Sequence, residues 1–144
     1  MKIIRQAIYR DILSMLDIEH MSYENPANIK FFEKHLKNTL VCIEKRKVKG
    51  YLVYTIASDG YIEILNIAVN PQCRREGTAT LLVNVFKDNP EFEGIFAFCS
   101  EKNYQYQCFL RKCGISCKKI HKNYYEPNDD AYVFIYNNNT TMII

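Results

Sequence analysis

Arg74, Arg75 and Gly77 stand between a β-rich run and a helical one, and Glu63 stands inside the β-rich run. These are the residues whose types and spacing can do chemistry. Two guanidiniums beside a glycine, where a strand hands over to a helix, can hold an anion. The first helical turn leaves backbone N–H groups unpaired, and its dipole favours negative charge. Glycine lets the backbone come close to a ligand. A phosphorylated ligand is the implied occupant; a solvated basic turn is the plainer reading. Glu63 is the one ionisable group in residues 62–69, a stretch otherwise almost wholly apolar. Such surroundings raise a carboxylate's pKa and suit it to removing a proton. A solvated or lysine-paired glutamate near the start of a strand is the competing reading.

The elements that must position these groups can be read along the chain. Residues 61–69 are rich in β-branched side chains and predict a central strand covered on both faces. Residues 78–88 place Leu81, Leu82, Val85 and Phe86 at helical spacing, and Asn89-Pro90 ends that helix. Residues 94–99 predict a short buried strand, parallel to the first through a right-handed crossover. Upstream, residues 2–6 read as a strand, 9–20 as a helix, and 28–37 as a second helix capped by Asn28. Residues 40–44 and 51–57 read as strands joined by a hairpin turn over 46–50. Downstream, residues 103–112 read as a helix with Asn103 at its start and Gly114 at its end. Residues 116–123 and 131–137 read as a final strand pair joined by 123–130, and 137–141 as a frayed tail.

Composition narrows the class. The chain has 144 residues, 48% of them hydrophobic, which suits one folded domain spanning residues 1–144 and argues against disorder. A net charge of +3 is too mild to imply nucleic acid by itself. No apolar run approaches the roughly 20 residues of a membrane span, and Arg5 and Arg10 interrupt any signal-peptide core, so a cytoplasmic protein with no membrane partner is expected. The six cysteines include no Cys-x-x-Cys pair. Cys113, Cys117 and His121 would form a metal face only on one helix, and Gly114 breaks that helix, so no metal is expected.

Arg74-x-x-Gly77-x-Ala79, after a strand ending Ile67-Ala68-Val69, resembles the acetyl-CoA motif of the GNAT superfamily of N-acetyltransferases. Neither the Gly-Lys-Ser/Thr phosphate loop nor the Gly-x-Gly-x-x-Gly fingerprint is present. Asn103 with Arg111-Lys-Cys-Gly-Ile115 resembles the superfamily's Asn … Tyr-x-x-x-Gly-Phe helix. Residues 119–133 resemble the closing hairpin of the RimI-like protein N-terminal acetyltransferases. The resemblance implies an α+β fold: a mixed, mostly antiparallel sheet flanked by helices. It implies acetyl-CoA as the acetyl donor, held where strands 61–69 and 94–99 part.

Residue roles follow from the same resemblance. The backbone of Ile67, Ala68 and Val69 pairs with the pantetheine arm as an added strand would. Arg74, Arg75, Gly77, Thr78 and Ala79 take the pyrophosphate, and Asn103 joins the cofactor-binding set. Glu63 sits at the position of the base in the histone-acetylating branch. Tyr124 and Tyr125 sit where the N-terminal acetyltransferases grip a peptide, with core packing of a tyrosine-rich hairpin as the alternative. Tyr23 and Phe31 fall in the early helical region that helps form the acceptor site, though core or lid packing suits them better. Two positions depart from the pattern. Leu110 stands where the family carries its acidic tyrosine, and Phe98 where RimI-like enzymes carry a glutamate. Tyr106, one turn before Leu110, is the replacement candidate for the acid; packing against the sheet is its other reading.

The expected function is N-acetyl transfer from acetyl-CoA to an amine, a protein N-terminal or lysine amine being favoured as acceptor. A small-molecule amine is the alternative substrate, and a non-catalytic acyl-CoA-binding module the alternative class. The residues set neither the acceptor nor the oligomeric state.

Overall fold

The computed structural model describes residues 1–138. Its seven strands are β1 (Ile3–Gln6), β2 (Thr39–Glu44), β3 (Lys47–Ile56), β4 (Tyr61–Val69), β5 (Gly94–Ser100), β6 (Ser116–Glu126) and β7 (Asp129–Asn137). The helices are α1 (Ile12–Ser22), α2 (Ile29–Lys34), α3 (Thr78–Asn84) and α4 (Tyr104–Lys112). Strand order is β1-β2-β3-β4-β5-β7-β6. The β1–β2, β2–β3, β5–β7 and β6–β7 pairs are antiparallel, and β4–β5 is parallel. This is the α+β, mostly antiparallel architecture expected. Among the described residues, no helix is long and apolar enough to cross a membrane.

Contacts divide the chain into two compact units, with β4 contributing to both. The first holds Met1–Thr55 and Leu65–Val85. Its core forms because α1 turns Ile12, Met15 and Ile18 inward at helical spacing, against Phe32 of α2 and Val41, Tyr51 and Val53 of the sheet. Phe32 and Tyr51 meet edge to face, centroids 5.4 Å apart. Burying side chains of this size stabilises the fold by about 1.5–3 kcal/mol each. Asn28 caps α2 as expected, its side chain accepting from Phe31 N–H at 3.2 Å.

The second unit holds Ile56–Ile64 and the described residues from 86 onward. Ile62 and Ile64 of β4, Ile95 and Ala97 of β5, Leu110 of α4 and Phe134 of β7 are buried there. The β4–β5 ladder runs from Tyr61↔Gly94 to Ile64↔Ala97 and ends there. Gly114 (φ 82°) terminates α4 in the left-handed region, where a side chain is disfavoured. Cys117 and His121 consequently lie on β6, off the helix. That strand is exposed along its length, and Lys118, Lys119 and Lys122 discourage a further strand from adding to its edge.

Several boundaries differ from expectation: α1 runs from Ile12 to Ser22 after a 3-10 turn at Tyr9–Asp11, and α2 ends at Lys34. The first hairpin turns on Lys45 and Arg46 (φ 52° and 64°), so Val48, Lys49 and Gly50 are strand. A two-residue turn needs positive φ at both positions, which Asn and Gly advertise and Lys-Arg does not. α3 ends at Asn84, four residues before the expected stop, and Asp88 (φ 56°) sits in a turn bonded by its N–H to Asn138 Oδ1 at 2.9 Å. The last two strands run further than expected: β6 reaches Glu126, so Tyr124 and Tyr125 are strand residues. Irregular pairing between His121 and Glu126, with Asn123 at φ 54°, hid that extension from the pattern. Asn137 is the last residue of β7, and the rest of the expected tail lies outside the described residues apart from Asn138, which is described.

Candidate active site

On the first unit, β4 ends in Ile67 and Ala68, both buried, and half-buried Val69. Asn70 N–H donates to Lys49 O at 2.8 Å, and Pro71 opens one short 3-10 turn. The chain then doubles back through the basic turn. Arg74 Nε donates to Val69 O at 3.2 Å and its Nη2 to Ser22 Oγ at 3.3 Å, so the guanidinium is held against the strand end. Arg75 is exposed, with φ 67°. Glu76 would oppose an anion, but Lys2 Nζ bonds its carbonyl at 2.9 Å and lies 3.6 Å from its carboxylate.

Gly77 (φ 79°) precedes α3, and a Cβ there would meet nothing within 4 Å. The next residue, Thr78, is 2% exposed, and its hydroxyl has no hydrogen-bond partner among the described residues. An unpaired buried hydroxyl costs about 1–3 kcal/mol. Open space at Gly77 and two neighbouring guanidiniums suit a pyrophosphate. Ala79 follows in the first turn of α3.

On the second unit, Glu63 stands opposite Phe96 in the β4–β5 ladder. It is half-buried, and burial lifts its pKa above the ordinary carboxylate value. A row of rings continues along β5 and β6. Phe96 and Phe98 are 6.2 Å apart, Phe98 stacks on His121 at 5.8 Å, and Tyr124 lies 5.2 Å from Phe98 and 5.0 Å from Tyr125. Burial pushes the Tyr125 phenol up to about 12, helped by Cys99, Tyr124, Asp129 and Glu63. The hairpin end is pinned. Ser100 Oγ donates to Asp129 at 2.5 Å, and Asp130 N–H donates to Glu101 at 3.0 Å. Asn123 N–H donates to the Asp130 carboxylate at 2.9 Å, which with Lys122 holds that carboxyl below the usual range.

Asn103 caps α4, its Oδ1 accepting from Tyr106 N–H at 3.2 Å, which leaves its amide N–H groups for a ligand. Tyr106 is half-buried on α4 and Leu110 is fully buried. On the first unit, a strand end with a basic turn can hold a phosphorylated ligand; on the second, a carboxylate of raised pKa beside an aromatic wall can take a proton from an amine.

Comparison with known proteins decides the family: the profile of the acetyltransferase (GNAT) family matches residues 5–115. The chain belongs to the GNAT family. Like its members it is an acetyl-CoA-dependent N-acetyltransferase, with acetyl-CoA as donor. A search of the curated proteins finds no match. Among solved structures, the ribosomal-protein-S18-alanine N-acetyltransferase from Escherichia coli superposes with a TM-score of 0.81 at 16% identity, each chain covered over 100% of its length. Arabidopsis thaliana NAA60 in complex with acetyl-CoA gives 0.81 at 16% identity, covering 95% of this chain and 99% of that one. A putative streptothricin acetyltransferase from Bacillus anthracis in complex with acetyl coenzyme A gives 0.81 at 15% identity, covering 96% and 99%. At these identities the likeness is one of GNAT fold.

Residues that sequence reasoning passed over also stand in this GNAT domain. Phe98 entered only as a departure from the family pattern, yet it is the hub of the ring row; the alternation of Phe96 and Phe98 is the signal for that role. His121 entered only as a metal candidate. Glu19 and Asn66 gave no signal, because their partners are distant in sequence.

Proposed function

We propose that the chain acetylates the amine of a protein, an N-terminal α-amine or a lysine, and that Glu63 is the base. The observation that carries this is the Phe98–Tyr124–Tyr125 ring row in the unit that holds Glu63. A cationic ammonium is drawn to ring faces and to a carboxylate, and the amphipathic tyrosines can pack a peptide while bonding its backbone. The bound ammonium must lose a proton before it can attack, and a carboxylate of raised pKa takes it directly or through one water.

On the donor side, Ile67, Ala68 and Val69 pair with the pantetheine amides, and a backbone N–H polarises the thioester carbonyl. Arg74, Arg75, Gly77, Thr78 and Ala79 hold the pyrophosphate, and Asn103 supports the donor from the start of α4. The amine nitrogen bonds to the acetyl carbon, the carbon–sulfur bond breaks, and the thiolate takes a proton from water; Tyr106 is the side chain that can replace that water. The test is free-thiol release across peptides with free N-termini, N-blocked peptides containing lysine, and small polyamines. Turnover confined to free N-termini or lysine peptides supports the proposal. Turnover confined to polyamines overturns the acceptor and leaves the chemistry. No thiol release from any of them, despite acetyl-CoA binding, points to a binding module.

A further inference from the structure

The end of α1, with its C-cap Tyr23, reaches the far end of β4 at two points and the basic turn at a third. Glu19 is 3% exposed, and its carboxylate accepts from the Tyr51 hydroxyl, from Asn66 Nδ2 at 2.8 Å and from Ala27 N–H at 2.9 Å. One turn later the Tyr23 hydroxyl donates to the Ile67 carbonyl. Between them Ser22 Oγ accepts from Arg74 and donates to Ile18 O at 2.7 Å. Tyr23 caps α1 with its N–H on the Glu19 carbonyl, so adjacent positions of β4, Asn66 and Ile67, are gripped from the end of one helix.

We propose that Glu19 and Tyr23 are positioning residues of the donor site: they hold the β4 backbone at Asn66–Ile67 in the extended form along which the pantetheine arm lies. The inference rests on the acetyl-CoA reading of Ile67, Ala68 and Val69. An added strand binds well only to an edge already ordered, because ordering a backbone on binding costs affinity. A carbonyl has two lone pairs. Tyr23 occupies one and orients the group, leaving the other for an amide N–H. The Tyr23 phenol is pushed up to about 12 by burial and then by the charge of Glu19, so it remains a donor at every pH the protein meets. The buried Glu19 is the anchor: it ties Asn66 to β3 through Tyr51 and to the α1–α2 loop through Ala27. Because Ser22 supports Arg74 from the same turn, the strand end and the phosphate turn rest on one piece of helix.

The test is calorimetric and needs no acceptor. Wild type, Tyr23→Phe and Asn66→Ala are each titrated with acetyl-CoA and with adenosine 3′,5′-bisphosphate, a probe that lacks the pantetheine arm, and unfolded thermally. Each variant should bind acetyl-CoA about five- to tenfold more weakly, one hydrogen bond's worth. Bisphosphate affinity should stay within about twofold, and the unfolding temperature within a few degrees. Unchanged acetyl-CoA affinity in both variants overturns the proposal. So does an equal loss for both probes, which marks general loosening. A folded wild type that fails to bind acetyl-CoA removes the donor reading itself, a separate failure.

Discussion

Glu63 of β4 and Phe96 of β5 are register partners in the parallel ladder, so their side chains leave the same face of the sheet. Burial there raises its pKa. If Glu63 is the base, only its ionised form works. The rate should climb with pH through a value above the ordinary carboxylate range, and Glu63→Gln should remove that limb and cost about 10²–10⁴ in turnover. The linkage sign is the reverse of a salt-bridged carboxylate's. The folded state binds the proton more tightly than the unfolded one, so this contribution to stability is full below the unfolded pKa and is lost as pH rises through the folded one. At neutral pH Glu63→Gln should therefore unfold at the same or a higher temperature. Rate–pH profiles and melts of the two proteins check both halves.

Gly77 separates the demand of the backbone from that of the ligand. An alanine there meets no atom within 4 Å beyond its chain neighbours but must adopt φ 79°. The strain is about 1 kcal/mol, or roughly 3 °C in unfolding temperature for a domain of this size. Its methyl would enter the open space at the start of α3. Acetyl-CoA affinity should fall more than the melt foretells, by about tenfold or more. Equal affinity in Gly77→Ala would take the pyrophosphate away from this turn.

What was legible in the chain was what local physics writes there. β-branched density gave β4, Gly114 gave the end of α4, and Asn28 and Asn103 gave caps, each within a few residues of its partner. The basic turn and Glu63 were visible for the same reason: unlike types in a uniform stretch. Glu19 was not visible. Its partners lie 8, 32 and 47 residues away, and a glutamate near the end of an amphipathic helix reads as solvated. Tyr23 read as core or lid packing, whereas its ring carries a hydroxyl to the β4 backbone.

Leu110 is fully buried, which closes the helix position where the family carries its acid. Leu110→Tyr should overpack the core, costing about 1–3 kcal/mol, and should not accelerate turnover. Tyr106→Phe isolates the remaining candidate. The expected result is turnover within about threefold of wild type, water supplying the thiolate's proton, since a positioned acid would contribute about 10²–10⁴. A drop of that size with loss of the high-pH limb would instead assign Tyr106 as the acid.

Phe98 touches Phe96, His121 and Tyr124, so its removal should loosen the whole ring row. Its neighbours across β7 and β5 remain buried, and the half-exposed position limits the cost to the fold. Phe98→Ala and Tyr124→Ala each withdraw a ring face from the acceptor, worth about 0.5–1 kcal/mol at an exposed site and more when desolvated. For each variant KM for a peptide acceptor should rise about three- to tenfold, while acetyl-CoA affinity stays unchanged, because the Ile67 backbone and the Arg74 turn are untouched. Tyr125→Phe keeps the ring and loses only the phenol, so it should raise KM less than Tyr124→Ala unless the hydroxyl bonds the acceptor's backbone. Steady-state kinetics with one peptide at varied concentration reads all three. Unaltered KM across the set would make the row a packing feature of the hairpin and move the acceptor elsewhere.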